Sequence, residues 1–180
     1  MTIHRSIGRL ALGLLTVAAA LAVAAPATAA APGATVLQQQ IDAHIQAYGG
    51  TQTAVNEIRW ADGAVMTWPV PGAKRALSPG EQAQALGVAN CSIGWTCLYE
   101  HHNFDGRRWT WSDCDDLWLA NWGFQDKASS WHNNQTGGAR TKVYNHNGSS
   151  KTLLWDAPSP ARSTYVGDAA NDKADSIIVC

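Results

Sequence analysis

The phrase Asp126-Lys127-Ala128-Ser129-Ser130 returns 46 residues later as Asp172-Lys173-Ala174-Asp175-Ser176, with four of its five positions identical. Leu98-Tyr99 corresponds, at nearly the same offset, to Val143-Tyr144. A fixed period of this size indicates one supersecondary unit used twice, each copy too small to bury its own apolar face. The sequence therefore predicts a β domain of two motifs, at about 91–138 and 139–180.

The first 29 residues have the pattern of a secretory signal peptide. Arg5 and Arg9 precede an apolar run over 10–25, and Ala27-Thr28-Ala29 supplies a small-x-small cleavage pattern. The alternative is a membrane anchor, for which the run is short, since a span needs roughly 20 apolar residues. We expect a secreted, extracellular protein.

Charge excludes one class of partner. Without residues 1–29 the chain has 11 basic and 14 acidic residues, a net charge of −3. No basic stripe is present to follow a phosphate backbone, which argues against a nucleic-acid partner. About 150 residues suffice for one domain with a modest core, and we expect a monomer that does not bind membranes.

Four cysteines lie in the exported part of the chain: Cys91, Cys97, Cys114 and Cys180. An even number in an oxidising compartment indicates two disulfides, and three pairings can be drawn. Cys91–Cys97 is the natural local bond, which leaves Cys114–Cys180. A zinc site is the alternative, although no C-x2-C pair is present.

Residues 30–90 differ from 91–180 in their predicted secondary structure, which includes helices as well as strands. Apolar residues at helical spacing predict a helix; they are Leu37, Ile41, Ile45 and Tyr48. Gly49-Gly50 is expected to end this helix. Strands at 55–60 and 64–68 flank Asp62-Gly63, the dipeptide of a two-residue type I′ turn. Ser78-Pro79-Gly80-Glu81 is a capping box that predicts a short helix to residue 86.

This N-terminal segment has too few apolar residues for a strong core of its own. Two alternatives follow: it packs on the β domain, or it is a pro-segment removed later. Lys74-Arg75 offers a processing site for the second alternative, and otherwise it is a solvated pair in a loop.

From Cys91 onward the sequence is typical of an all-β sandwich built from Greek keys. Short runs rich in Trp, Tyr, Val and Thr alternate with Gly, Asn and Asp clusters, and strands are predicted at 96–99, 108–111, 141–144 and 152–155. Seven of the nine tryptophans lie here. They indicate core packing or, alternatively, an exposed aromatic platform; its candidate members are Trp118, Trp122 and Trp131.

Residues 99–106, Tyr-Glu-His-His-Asn-Phe-Asp-Gly, resemble the folded hairpin that opens a βγ-crystallin Greek key. The glycine of that hairpin needs a backbone geometry that residues with a Cβ resist. The resemblance implies that Ser130 pins this hairpin and that Ser176 is its equivalent in the second motif. The second hairpin, 144–148, is looser and lacks the second aromatic residue.

A narrower family combines the same features with a signal peptide, Cys91-x5-Cys97 leading into Leu98-Tyr99-Glu100, the repeated phrase and a terminal cysteine. The chain resembles the secreted actinobacterial proteins grouped with the streptomycete-type metalloproteinase inhibitor. The resemblance covers 91–180, and 53–68 looks like the leader often found before that domain. The resemblance implies that the partner is an extracellular peptidase. It does not identify which residues of this chain would inhibit that peptidase.

Calcium is the cofactor that the crystallin resemblance implies. The side-chain ligands would be Ser129 and Asp175, since calcium takes six to eight oxygens. The set would be completed by four backbone carbonyls, those of Gln125, Lys127, Asn171 and Lys173. The alternative is structural, because Asp and Ser in such turns also bond to local backbone.

No catalytic motif is present in the sequence, so we expect no enzyme. His101 and His102 are adjacent and point to opposite faces of a strand. Two functions follow: inhibition of a peptidase through the loops 132–140 or 157–164, or a calcium-binding crystallin-type module that binds cell-wall glycans or acts as an antimicrobial protein.

Overall fold

The computed structural model describes residues 32–78, 81 and 90–180. The predicted signal peptide lies outside them, as does most of the short helix predicted after Ser78. The capping bond itself is present, because Glu81 accepts a hydrogen bond from the Ser78 N–H at 2.9 Å. Among these described residues one α-helix, α1, spans Pro32–Tyr48, and short 3-10 helices span His102–Phe104 and Leu119–Trp122. The strands are β1 Thr51–Ala54, β2 Glu57–Arg59, β3 Val65–Thr67, β4 Thr96–Tyr99, β5 Arg108–Trp111, β6 Asp115–Trp118, β7 Ser130–Asn133, β8 Arg140–Asn147, β9 Ser150–Pro158, β10 Ala161–Ser163 and β11 Ser176–Val179.

The strands form two antiparallel sheets, and each motif contributes one strand to the sheet of the other motif. The first sheet has the order β1-β2-β3-β5-β4-β7-β10, and the second has the order β6-β11-β8-β9. Thus β6 of the first motif pairs with β11, and β10 of the second motif pairs with β7. The predicted all-β sandwich of two Greek keys is confirmed, and each motif needs the other to complete its sheets.

Strand lengths show where the two motifs differ. The predicted strands 96–99 and 108–111 are confirmed as β4 and β5, whereas β8 and β9 run several residues beyond the predicted 141–144 and 152–155. Those two strands form a hairpin closed at Asn147 and Ser150, with a β-bulge between the Val143 and Tyr144 pairings. The second motif lacks the second aromatic residue of the first hairpin, and its strands continue to the turn.

The core lies between the sheets and is dense in tryptophan. Trp109 and Trp111 of β5 have ring centroids 6.2 Å apart, and Trp122 lies within 5.6 Å of both. Leu98, Val143, Ile177 and Val179 from both motifs belong to the same cluster. For these three tryptophans, the prediction of core packing is confirmed.

The N-terminal segment packs on the β domain and enlarges its first sheet. Strand β3 pairs with β5, Val65 opposite Thr110, which adds three strands to the sheet. Leu37 and Ile41 of α1 and Ile58 of β2 join the core. The segment therefore packs on the β domain, which supplies the core that the segment lacks on its own. Its removal as a pro-segment stays a prediction.

The predicted type I′ turn is wrong. Asp62-Gly63 lies in a three-residue loop closed by Trp60 N to Ala64 O at 3.0 Å and by Gly63 N to Trp60 O at 3.1 Å. Only Gly63 has a positive φ, of 101°. A type I turn followed by a left-handed glycine is the usual three-residue hairpin, and the dipeptide alone did not distinguish it from the two-residue form.

Both disulfides are confirmed: Cys91 is bonded to Cys97, and Cys114 is bonded to Cys180. The second bond ties the turn between β5 and β6 to the last residue. Its cysteines are 66 residues apart in sequence. By restricting the unfolded chain, this bond can add about 4 kcal/mol to the free energy of unfolding.

Helix α1 packs on the β domain through His44, which the pattern of apolar residues did not predict to be buried. His44 is buried, whereas the predicted Tyr48 is exposed. The His44 ring donates from Nε2 to the Trp122 carbonyl at 3.0 Å and meets the edge of Trp68 at 5.0 Å. Burial, reinforced by the positive charge of Arg107, lowers the pKa of His44 to about 4.

We expect His44 to make stability depend on pH between about 6.5 and 4. In this window the unfolded imidazole binds a proton and the folded one does not, so stability is full above pH 6.5 and falls as the pH drops towards 4. The effect is on the order of 3 kcal/mol. His44→Leu removes it, and urea denaturation at pH 7 and pH 4.5 should show a weaker pH dependence than in the wild type. Equal pH dependence of the two proteins would contradict this role.

Candidate functional site

The repeated phrase forms a pair of turns related by a local twofold arrangement. Asp126 and Asp172 both have a φ of 54°. The Asp126 N–H donates to the Ala174 carbonyl at 2.8 Å, and the Asp172 N–H donates to the Ala128 carbonyl at 3.3 Å. Each copy therefore closes on the other, and the sequence repeat corresponds to a structural one.

The first oxygen cluster surrounds Ser129. Its hydroxyl donates to the Glu100 carbonyl at 2.8 Å and lies 3.5 Å from Asp172 Oδ1. Asn171 Oδ1 is buried and has no hydrogen-bond partner among the described residues. A cleft of about 730 Å³ opens here, lined by these residues and by Asp126. The cluster combines a carbonyl, a hydroxyl, an amide oxygen and a carboxylate from both motifs.

The second oxygen cluster surrounds Asp175, which is buried. Its carboxylate accepts from Gln125 Nε2 at 2.5 Å and from the His146 N–H at 2.6 Å. Burial, together with the negative charges of Asp175 and Asp172, raises the pKa of Asp126. Two motifs thus bring carboxylates close together at this position.

The predicted ligands divide between these clusters. Ser129 lies in the first and Asp175 in the second, each facing the aspartate of the opposite copy. Gln125 contacts Asp175 through its side-chain amide. The Lys173 ammonium donates to the Ala169 carbonyl at 2.8 Å. The carbonyl ligands at 125, 127, 171 and 173 remain a prediction.

Sequence reasoning missed Asp126, Asp172 and the Glu100 carbonyl as members of the clusters. The two aspartates were visible as the first letters of the repeated phrase, whereas nothing in the sequence indicated Glu100. In the described part of the chain, no three His, Cys, Asp or Glu side chains group closely enough to hold a metal by themselves. A cation here would need hydroxyl and backbone oxygens as well.

The first-motif hairpin folds as the resemblance implied. Ser130 Oγ donates to the His101 carbonyl at 2.6 Å and accepts from the Phe104 N–H at 3.1 Å. Tyr99 and Phe104 pack edge to face at 5.3 Å. A Cβ at Gly106 would lie 2.8 Å from His101 Cδ2, so this position requires glycine.

The predicted aromatic platform is wrong. Trp118 is 46% exposed, but Trp122 is only 2% exposed. Trp131 packs against the core and is only partly exposed. Because the Trp122 ring is buried against Trp109 and Trp111, the three rings do not form one open surface.

The two candidate contact loops lie side by side. The buried Asn133 donates from Nδ2 to the Ala157 carbonyl at 2.8 Å and to the Ala139 carbonyl at 3.3 Å. The Ser159 N–H donates to the Ala139 carbonyl at 3.0 Å, and the Ser159 hydroxyl donates to the Gln135 carbonyl. We define the contact surface as the joined loops 134–139 and 158–163, which the sequence presented as separate.

Comparison with solved structures finds βγ-crystallin domains. One from Clostridium beijerinckii has 23% identity and a TM-score of 0.39, with 47% of this chain and 94% of that chain covered. One from Ciona intestinalis has 20% identity and a TM-score of 0.39, with 48% of this chain and all of that chain covered.

A search of curated proteins finds no match. A family model does match: residues 84–153 fit that of peptidase inhibitor family I36. The matched part runs from before Cys91 through the first motif and into β9, and it includes the first loop of the contact surface. Similarity to a peptidase-inhibitor family, expected from the sequence, is found over residues 84–153 of this chain.

Proposed function

We propose that the protein is a secreted, non-enzymatic inhibitor of an extracellular metallopeptidase. The observation that carries this proposal is the match of residues 84–153 to peptidase inhibitor family I36. The two disulfides fit an extracellular location. The choice of a metallopeptidase rests on the resemblance to the streptomycete-type inhibitor.

No helix among the described residues is long and apolar enough to span a membrane.

The contact surface has the properties that an inhibitor needs. Thr136, Gly137 and Gly138 of its first loop are exposed, as are Pro158 and Pro160 of the second. The buried amide of Asn133 holds both loops from below. Rigid loops lose little conformational freedom on binding, so more of the contact energy appears as affinity.

The second loop also presents an edge strand. Strand β10 pairs with β7 on one side and ends the first sheet on the other. An extended segment at a sheet edge can pair with another chain through its backbone. This geometry suits the cleft of a peptidase, which takes its substrate as an extended chain.

We expect the double substitution Pro158→Gly and Pro160→Gly to raise the inhibition constant about tenfold. Glycine frees the backbone of the second loop, so binding must order it again. Inhibition constants would be measured first against a panel of secreted metallopeptidases and serine peptidases. Pro71→Gly, an exposed proline beyond the N-terminal hairpin, is the matched control and should leave inhibition unchanged.

Two outcomes would count against the proposal. If the wild type leaves every peptidase of the panel fully active and instead binds peptidoglycan or chitin, the inhibitor function is wrong. If it inhibits but the double variant with Pro158→Gly and Pro160→Gly behaves like the wild type, the surface that binds the peptidase lies elsewhere on the molecule.

Calcium binding is a second candidate function, favoured by the two oxygen clusters. Glu100, Ser129, Asn171 and Asp172 would hold the ion in the first cluster, and Asp126 and Asp175 in the second. Oxygen donors of mixed type fit calcium, and the unpartnered Asn171 Oδ1 fits an oxygen ligand. A bound ion would supply positive charge beside carboxylates that otherwise repel one another.

We expect Asp175→Ala to weaken calcium binding more than Ser129→Ala, since it removes a charge as well as an oxygen. Asp126→Asn tests the same cluster without disturbing the Gln125 and His146 bonds, and it should also reduce affinity, by about tenfold. Isothermal titration measures each variant, with the exposed Asp113→Asn as control. Absence of calcium uptake by the wild type below millimolar concentration would rule out both clusters as calcium sites.

A further inference from the structure

The two disulfides differ in their exposure to solvent. Cys97 lies inside β4 with no exposed surface, and Cys91 is 8% exposed. Cys114 and Cys180 are both exposed, one in the turn before β6 and the other directly after β11. Because thiol–disulfide exchange depends on access to sulfur, Cys114–Cys180 is the bond that an external thiol reaches first.

Gln135 connects this disulfide to the contact surface. Its side chain is 7% exposed and donates from Nε2 to Cys180 Sγ at 3.6 Å. Its Oε1 accepts from the Thr141 hydroxyl at 3.3 Å. Its N–H donates to Asn133 Oδ1 at 3.2 Å, and its carbonyl accepts from the Ser159 hydroxyl. One buried residue therefore contacts the sulfur and both loops.

The last residue also borders the contact surface directly. A groove of about 540 Å³ is lined by Gly137, Gly138 and Cys180, with Tyr144 and Ile178 among its other lining residues. Cys180 has a φ of 75°, a left-handed conformation that residues with a Cβ adopt at some cost. Opening the disulfide would let this residue relax and would change one wall of the groove.

We infer that Cys114–Cys180 is a thiol-sensitive latch that holds the contact surface in its binding conformation through Gln135. The inference rests on the proposed inhibitor function and adds a regulation to it. A small dithiol is the reductant: its thiolate attacks one sulfur of the bond, a mixed disulfide forms, and the second thiol closes on it. The dithiol is oxidised to a cyclic disulfide, and Cys114 and Cys180 each end as a thiol.

Asp113 and Asp115 flank Cys114 and are exposed. Their negative charge disfavours approach of an anionic thiol such as glutathione. Dithiothreitol carries no charge before ionisation of its thiol, and its second thiol resolves the mixed disulfide by ring closure. It is therefore the probe of choice.

The test uses the full mature protein under graded dithiothreitol, followed by alkylation and peptide mapping. Cys114 and Cys180 should be alkylated at concentrations that leave Cys91–Cys97 intact. Hydrogen exchange of 134–139 and 158–163 should then rise at least fivefold more than that of the N-terminal hairpin at 57–67, which reports the loss of global stability. The inhibition constant should rise about tenfold.

Two variants separate the latch from general loss of structure. The double substitution Cys114→Ser and Cys180→Ser should reproduce the reduced protein and no longer respond to dithiothreitol. Gln135→Ala should raise the inhibition constant with the disulfide intact, and reduction should then add little. If reduction raises the inhibition constant of Gln135→Ala as much as that of the wild type, Gln135 does not transmit the effect of the disulfide.

The outcomes distinguish this inference from the proposed function. Reduction of Cys91–Cys97 first, or unchanged exchange in both loops, overturns the latch whether or not a peptidase is found. Inhibition that persists unchanged while the loops loosen overturns the latch and leaves the inhibitor function standing. Failure to inhibit any peptidase overturns the proposed function itself.

Discussion

The structure depends on the exchange of one strand between the two motifs. Because β6 completes the second sheet and β10 completes the first, neither motif closes its hydrogen-bonded ladder or its half of the core alone. The reciprocal bonds between Asp126 and Ala174 and between Asp172 and Ala128 lie where the chains cross. We expect the two motifs to fold together, because each needs a strand of the other. The same exchange explains why two small motifs share one tryptophan-rich core.

The N-terminal segment extends this arrangement. An edge strand leaves backbone groups open to other chains, and β3 covers that edge of β5. Helix α1 then covers the tryptophan cluster, with His44 joined to the Trp122 carbonyl. The burial of a neutral imidazole among aromatic rings makes the docking of α1 sensitive to acid.

Strand exchange also explains why each functional feature draws on both motifs. Ser129 of the first motif faces Asp172 of the second, and the loop after β7 is bonded to Ser159 at the end of β9. Loops with such cross-links are held by a rigid scaffold, which is the usual place for binding residues. The oxygen clusters and the contact surface are separate features, since they share no residue.

The sequence by itself determined the features that depend on local signals. The end of α1 at Gly49, the strands 96–99 and 108–111, the disulfide partners and the paired motifs all follow from spacing, turn residues and cysteine order. Tertiary structure decided the rest, because those features depend on residues far apart in the chain. The Trp122 ring packs on Trp109 and Trp111, and its carbonyl accepts from His44 of α1. Gln125 binds Asp175 through its side chain. The loops at 134–139 and 158–163 form one surface because β10 crosses to the other sheet.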